Sequence, residues 1–191
     1  MSPRTIPSRV LLPLLVAPLA SCVASRPGGQ PLAAFGAEVQ VYPAGVIAGV
    51  DVRTTVGAGE YLTARVAGNV TNRQDFGEHD DEEGGGYGAG LGYRRYFDRS
   101  GEGWLWGARV DLWDLEIDWK DGAGTPGEVS GTTDVLVFQP SLELGYGFAM
   151  SRGWRGELVA GLGVEMNFDQ RGSDVGEGPI ALLGLTIVPA W

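Results

Sequence analysis

The sequence of 191 residues has one cysteine, one histidine and few cations, and each scarcity excludes something. With Cys22 alone, no internal disulfide can form. With His79 alone, any histidine-based acid–base chemistry is confined to one short segment. Lys and Arg total 14 against 24 Asp and Glu, a formal net charge of -10. That balance argues against nucleic acid or an anionic lipid surface as a partner. The sustained apolar run near the N-terminus is short and broken by Pro13 and Pro18, so it is not a membrane-spanning helix. Glycine is abundant, at 32 residues, but shows neither a collagen period nor a low-complexity block.

The N-terminal run has the layout of a secretory signal. Arg4 and Arg9 precede an apolar core at 10–19, and small residues follow. Leu19-Ala20-Ser21-Cys22 resembles a bacterial lipobox, in which the cysteine becomes lipidated. The alternative is ordinary cleavage beyond Val23-Ala24-Ser25, which removes the cysteine. The expected division is a lipoprotein-type signal peptide at 1–21, lipidated Cys22 and a linker at 22–34, and one domain at 35–191. Without Arg4 and Arg9 the net charge becomes -12.

Eight segments read as strands: 35–42, 46–56, 61–73, 86–97, 104–119, 134–149, 154–168 and 179–191. In each, apolar residues alternate with small or polar ones, as Leu62, Ala64, Val66 and Val70 do against Thr63, Arg65, Asn69 and Thr71. On 104–119 the phase slips after Leu112, and Trp113, Leu115, Ile117 and Trp119 take over the apolar rhythm, which predicts a β-bulge there. Pro140 lies within a predicted strand, cannot donate to a ladder, and requires a bulge or a local break. Long polar connections at 75–85, 120–132 and 169–178 fall at one end, short turns and both termini at the other. The pattern predicts an all-β fold, an eight-stranded antiparallel up-and-down transmembrane β-barrel.

Alternation alone does not separate this from a soluble lipocalin-like barrel, because both close about eight strands. The faces decide it. The apolar face is bulky, whereas the polar face mixes Gly, Thr and Asn with ionisable groups, which suits a narrow interior. Two aromatic belts are expected. One is Tyr61, Phe97, Trp104, Trp106, Phe148, Trp154 and Trp191; the other is Tyr42, Tyr87, Trp113, Trp119 and Phe168. Arg53, Arg65, Arg94 and Arg109 share the polar face with Glu38, Asp51, Asp111, Glu143 and Glu157. An eight-stranded barrel has room only for side chains, so these charges are expected to pair and plug the lumen, leaving no open pore.

The acidic run 75–83 surrounds His79, and Glu78, Asp80, Asp81 and Glu82 form a candidate cation-binding loop. Its spacing lacks the EF-hand pattern, and a solvated loop is the simpler reading. No serine lies near His79 in sequence and no nucleophile-elbow motif occurs, so neither an enzyme nor a cofactor is expected. Gly86-Tyr-Gly-Ala-Gly-Leu-Gly92 departs from G-x-G-x-x-G, and small residues facing a crowded lumen explain it. Asn69-Val-Thr71 matches a glycosylation acceptor formally but lies on a strand.

The lipobox, Gly90-Leu-Gly-Tyr-Arg-Arg-Tyr-Phe97 and the terminal aromatic strand resemble the small outer-membrane β-barrel family, the OmpA-type transmembrane domains among them. Trp191 departs from the terminal Phe more usual there. The resemblance implies a bacterial outer-membrane location and a structural or surface-interactive role. The acyl anchor and both termini would then lie on the periplasmic side, and the partners would be membrane lipids and the barrel-insertion machinery. Lipopolysaccharide, bridged by divalent cations, is a candidate partner of the acidic loop. The alternative is a periplasm-facing lipoprotein whose soluble, lipocalin-like barrel binds an apolar ligand.

Overall fold

The computed structural model describes residues 24–25, 31–74, 77–98, 101–150 and 153–190. The signal segment, Cys22 and Trp191 lie outside the described residues, and with them the expectations placed there. A two-residue strand, β1 (Ala24–Ser25), pairs with the start of β2 (Pro31–Tyr42). Then follow β3 (Gly45–Gly57), β4 (Glu60–Gln74), β5 (Asp81–Tyr96), β6 (Gly103–Asp121), β7 (Val129–Ala149), β8 (Trp154–Arg171) and β9 (Gly178–Pro189). From β2 to β9 each strand pairs antiparallel with the next, and β9 returns to β2 with Ala37 opposite Ile187 and Val41 opposite Leu183. The ring is therefore closed, and its first and last strands meet at the end where the described chain enters and leaves. The domain is an eight-stranded up-and-down β-barrel.

Closure satisfies the backbone donors and acceptors that an open sheet edge would expose. The strands run further than the alternation predicted, and part of each long polar connection becomes ladder. The predicted loop 75–85 shrinks to 75–80, 120–132 to 122–128, and 169–178 to 172–177. At the end where the termini meet, 97–102 is as long as two of these, so connection length hardly distinguishes the two ends. The tightest connection there, Ala58-Gly59, places Gly59 at φ 72, a left-handed value that a side chain disfavours.

The predicted bulge at Leu112 and Trp113 is not formed. Through β6 the pairing with β5 and with β7 runs in unbroken register. What changes at that level is the chemistry of the two faces. Below it, interior positions carry Arg109 and Asp111, and Trp106, Val110 and Leu112 are exposed outside. Above it, Trp113, Leu115 and Ile117 are buried inside, and Asp114, Glu116 and Asp118 face out. The sequence shows a phase slip because the polarity inverts, while the backbone continues. Register shifts in the barrel lie instead between β3 and β4, at Thr55 and Gly57 beside the turn, and between β7 and β8. The latter falls between Asp134 and Leu136, facing Asp169, whose φ of 53 marks the displaced residue. At Pro140 the β7–β8 ladder skips Gln139 and Pro140 without changing register, the local break that a residue with no N–H requires.

The barrel thus has two storeys. In the lower one the outer surface is apolar: Val66, Leu91, Leu142 and Leu162 are 68%, 71%, 68% and 72% exposed. In the upper one a core of Tyr42, Ile47, Trp113, Leu115, Ile117, Val135, Val137, Ile180 and Leu182 fills the interior. Glu83, Asp114, Glu116, Asp118 and Asp134 are exposed outside it. The inversion also redistributes the aromatics. Trp104 and Tyr146 stack edge-on outside the lower storey with ring centroids 5.6 Å apart, as do Tyr93 and Trp106. Tyr61, expected among them, is buried inside against Tyr96 at 5.8 Å. Of the second belt, only Tyr87 and Phe168 are exposed. Tyr42 and Trp113 are buried, and Trp119 packs against the same core. Their apolar rings belong to the upper core because the strand phase there puts them inside.

Candidate functional site: a charge-filled lumen and its cap

Interior positions on all eight barrel strands of the lower storey converge on one ion-pair network. β2 supplies Glu38 and Gln40, β3 Asp51 and Arg53, β4 Arg65, and β5 Arg94. β6 supplies Arg109 and Asp111, β7 Glu143, β8 Glu157 and β9 Thr186. The alternation rule brings them together: each sits on the inward phase, and the antiparallel register sets their heights, with Asp51 directly opposite Arg65.

Arg65 grips Asp111 with two parallel bonds of 2.8 and 2.9 Å and reaches Glu38 at 2.6 Å and Gln40 at 2.7 Å. Arg94 holds Glu143 at 2.8 and 3.2 Å and Glu157 at 2.9 Å. Arg53 donates to Asp51 at 3.0 Å and to both oxygens of Glu157. Arg109 pairs with Glu38, and its Nε lies 3.5 Å from Glu143. The Tyr96 hydroxyl donates to Glu157, and Thr186 donates to Glu38 at 3.2 Å. The fork geometry of guanidinium lets one cation serve two or three carboxylates, as a lysine would not. Arg155 is buried beside the Tyr96 ring, and the four guanidinium groups of the network pair with the five carboxylates Glu38, Asp51, Asp111, Glu143 and Glu157.

Glycines on neighbouring strands make room for these long side chains. A Cβ added at Gly90 would lie 1.8 Å from Asp111 Oδ1. Gly90 stands opposite both Arg65 and Asp111. A similar atom at Gly107 would meet Arg94 Cγ at 3.0 Å and Glu143 Oε2 at 3.1 Å. The glycine-rich run 86–92 therefore borders the crowded lumen at its lower end. Further up, the Trp113 ring covers Gly88, where an added Cβ would sit 2.1 Å from Cε3.

Trp113 marks the boundary between the storeys. Its ring centroid is 5.3 Å from the Arg65 guanidinium carbon, and its Nε1 donates to Gln139 at 2.7 Å. Above the apolar core a second polar cluster closes the mouth. Arg73 holds Glu82 at 3.1 Å, Glu165 at 2.7 Å and the Gly176 carbonyl at 2.6 Å. Glu82, fully buried, accepts the backbone N–H groups of Glu78 at 2.9 Å, His79 at 3.2 Å and Gly176 at 3.0 Å.

Arg53, Arg65, Arg94, Arg109, Asp51, Asp111, Glu143 and Glu157 are thus gathered at one level. The four residues of the candidate cation loop are not gathered into one coordinating group. Glu82 turns inward to backbone donors, and Asp80 accepts from the Gly122 N–H at 2.7 Å. Among the described residues no group of three or more His, Cys, Asp or Glu is placed to hold a metal ion. Sequence reading missed Gln40, Tyr96, Arg155 and Thr186, although their strand phase marks them as inward. It missed the Arg73–Glu82–Glu165 cluster because Glu82 was assigned to a loop.

No protein-family model matches the chain, and no curated protein does. Four solved chains are similar in structure. One is the N-terminal β-barrel domain of Pseudomonas aeruginosa OprF, at 13% identity and a TM-score of 0.43, covering 82% of this chain and 96% of that one. Another is Neisserial surface protein A (NspA), at 8% identity and a TM-score of 0.45, covering 83% of this chain and 94% of that one.

Proposed function

We propose that the chain is a small integral β-barrel lipoprotein of the bacterial outer membrane, with a structural or surface-interactive role and a lumen plugged by charge. The observation that carries this is the inversion of the lower storey, apolar outside and ionic inside. From Trp104 to Leu112 on β6 and from Phe148 to Leu136 on β7 the apolar face spans about 20–30 Å, at ~3.3 Å per residue and a strand tilt near ~40°. An outer-membrane barrel needs an apolar band of about 25 Å. On β5, β6 and β7 the upper storey, with an apolar core and an acidic exterior, has the polarity of a water-exposed sheet and stands on the outer side of that band. On β2, β3 and β4 the outward Val41, Val46 and Val70 are apolar. Both chain ends then emerge on the periplasmic side, where acylated Cys22 reaches the inner leaflet through the linker.

The soluble-barrel alternative needs an apolar interior with space for a ligand. Among the described residues the larger apolar cluster of the interior lies in the upper storey, where Tyr42, Trp113, Ile117 and their neighbours pack together, and a smaller one of Tyr61, Tyr96 and Leu105 lies in the lower storey. The network in the lower lumen supports a barrel without an open pore, and the reading includes no catalytic step. The outer-membrane lipids and the insertion machinery are its partners.

Extraction tests the reading. A Cys22→Ser chain expressed in bacteria stays in the membrane pellet after carbonate washing and migrates faster on gels before heating than after. Release into the soluble fraction would overturn it.

A further inference from the structure

At the mouth of the upper storey His79 joins three connections. Its Nδ1 lies 2.8 Å from Asp121 Oδ2 at the end of β6, and its Nε2 lies 2.8 Å from the Asp174 carbonyl in the segment 172–177. The ring stacks on Trp119 at 4.2 Å and 12°. Both nitrogens therefore face acceptors, and only the doubly protonated imidazolium can donate to both. A neutral ring must leave one acceptor facing a lone pair. Asp80 N–H donates to the other oxygen of Asp121 at 3.1 Å, which holds that carboxylate in place.

We propose that His79 is a proton-operated latch that fastens the segment 172–177 over the mouth of the barrel. The groups facing it are Asp121 from β6, Glu82 from β5 and the Asp174 carbonyl from 172–177, while Asp80 on its own connection is turned to the Gly122 N–H. Arg73 from β4 lies behind Glu82 and offsets that carboxylate's charge. Partial burial lowers the imidazole pKa. The hydrogen bond and charge of Asp121, the Asp174 carbonyl and the charge of Glu82 outweigh it and hold the pKa above the ordinary value. Reciprocally, the hydrogen bond from His79 holds the Asp121 carboxyl below its usual range. With the histidine's pKa raised on folding, its contribution is complete below the ordinary imidazole value and is lost as pH rises through the raised one. What remains on 172–177 includes Gly176 on Glu82 and Arg73, Thr133 on the Ser173 carbonyl, Asn167 on the Val175 carbonyl, and the Asn167 N–H on the Glu177 carboxylate at 2.8 Å. Release frees the Asp174 end of the segment first and loosens Val175, whose side chain is buried in the upper core.

The test is amide hydrogen exchange of the full chain in phospholipid nanodiscs between pH 5 and 9, corrected for intrinsic rates, with NMR titration of the His79 ring. Protection across 172–177 should fall by about tenfold for each unit by which the imidazole pKa is raised. The change should follow the His79 titration, while β5 and β6 amides of the lower storey stay constant. His79→Gln should abolish the pH dependence, and Asp121→Asn should shift it to lower pH. Protection that is flat across the range, or that changes equally in wild type and His79→Gln, would overturn the latch. If His79→Gln does not fold, an unshifted midpoint in Asp121→Asn would overturn it equally.

Discussion

Replacing Arg94 by Leu removes a cation that holds Glu143 and Glu157 and reaches Glu38 at 3.5 Å inside the lower lumen. Glu143 loses its bonds of 2.8 and 3.2 Å and keeps only Arg109, whose Nε is 3.5 Å away. Glu157 loses one bond of 2.9 Å but retains Arg53 and Tyr96. All of these groups are buried, so the cost is mainly that of an uncompensated charge, about 3–5 kcal/mol. Glu143→Leu leaves Arg94 short of its main partner and costs a similar amount. The double variant removes one cation and one anion together and leaves the charge difference of the network unchanged. Its destabilisation should fall short of the sum of the singles by about 2–3 kcal/mol, the upper range for residues in contact. Urea unfolding in phospholipid vesicles, followed by tryptophan fluorescence and by gel mobility without heating, measures all three. Additivity within about 0.5 kcal/mol would refute the pairing on which the plugged lumen rests.

Three further outcomes follow from the same geometry. Gly90→Ala places a methyl group against Asp111 Oδ1 in a space with no slack, and should cost about 1–3 kcal/mol in the same unfolding assay. Trp113→Ala empties the boundary between the storeys and should cost about 3–5 kcal/mol, with exchange accelerated in the upper core first. Leu142→Arg puts a charge in the middle of the apolar band and should cost about 2–4 kcal/mol of folding free energy in bilayers. Glu116→Arg, on the upper exterior, should change it by less than about 0.5 kcal/mol, as measured in parallel.

The ring of eight strands and the ionic lumen were legible because both follow from period-two alternation. Arg53, Arg65, Arg94 and Arg109 share one phase with their acids, and closing the sheet is enough to bring them together. The upper storey was not legible, because alternation reports which residues share a face and leaves open whether that face looks inward. At Leu112 and Trp113 the two faces exchange polarity in an unbroken strand, and a one-residue bulge would produce the same sequence pattern. The error carried over to Tyr42, Trp113 and Trp119, which count as belt aromatics only if apolar always means outward. Glu82 escaped for a different reason. A buried carboxylate that accepts backbone N–H groups from 78, 79 and 176 is indistinguishable in sequence from the solvated acids beside it.

The most direct test of the account is where the outward side chains of the two storeys reside. Cysteines introduced at Val66, Leu91, Leu142, Leu162 and Glu116 in a Cys22→Ser chain can carry nitroxide labels, and the folded protein can be placed in phospholipid vesicles. Collision with dissolved oxygen and with a water-soluble nickel chelate then reports depth. Labels at 66, 91, 142 and 162 should be accessible to oxygen and shielded from nickel, with the label at 116 the reverse. Nickel accessibility at all five positions would mean that the lower storey faces water, and would contradict the transmembrane barrel.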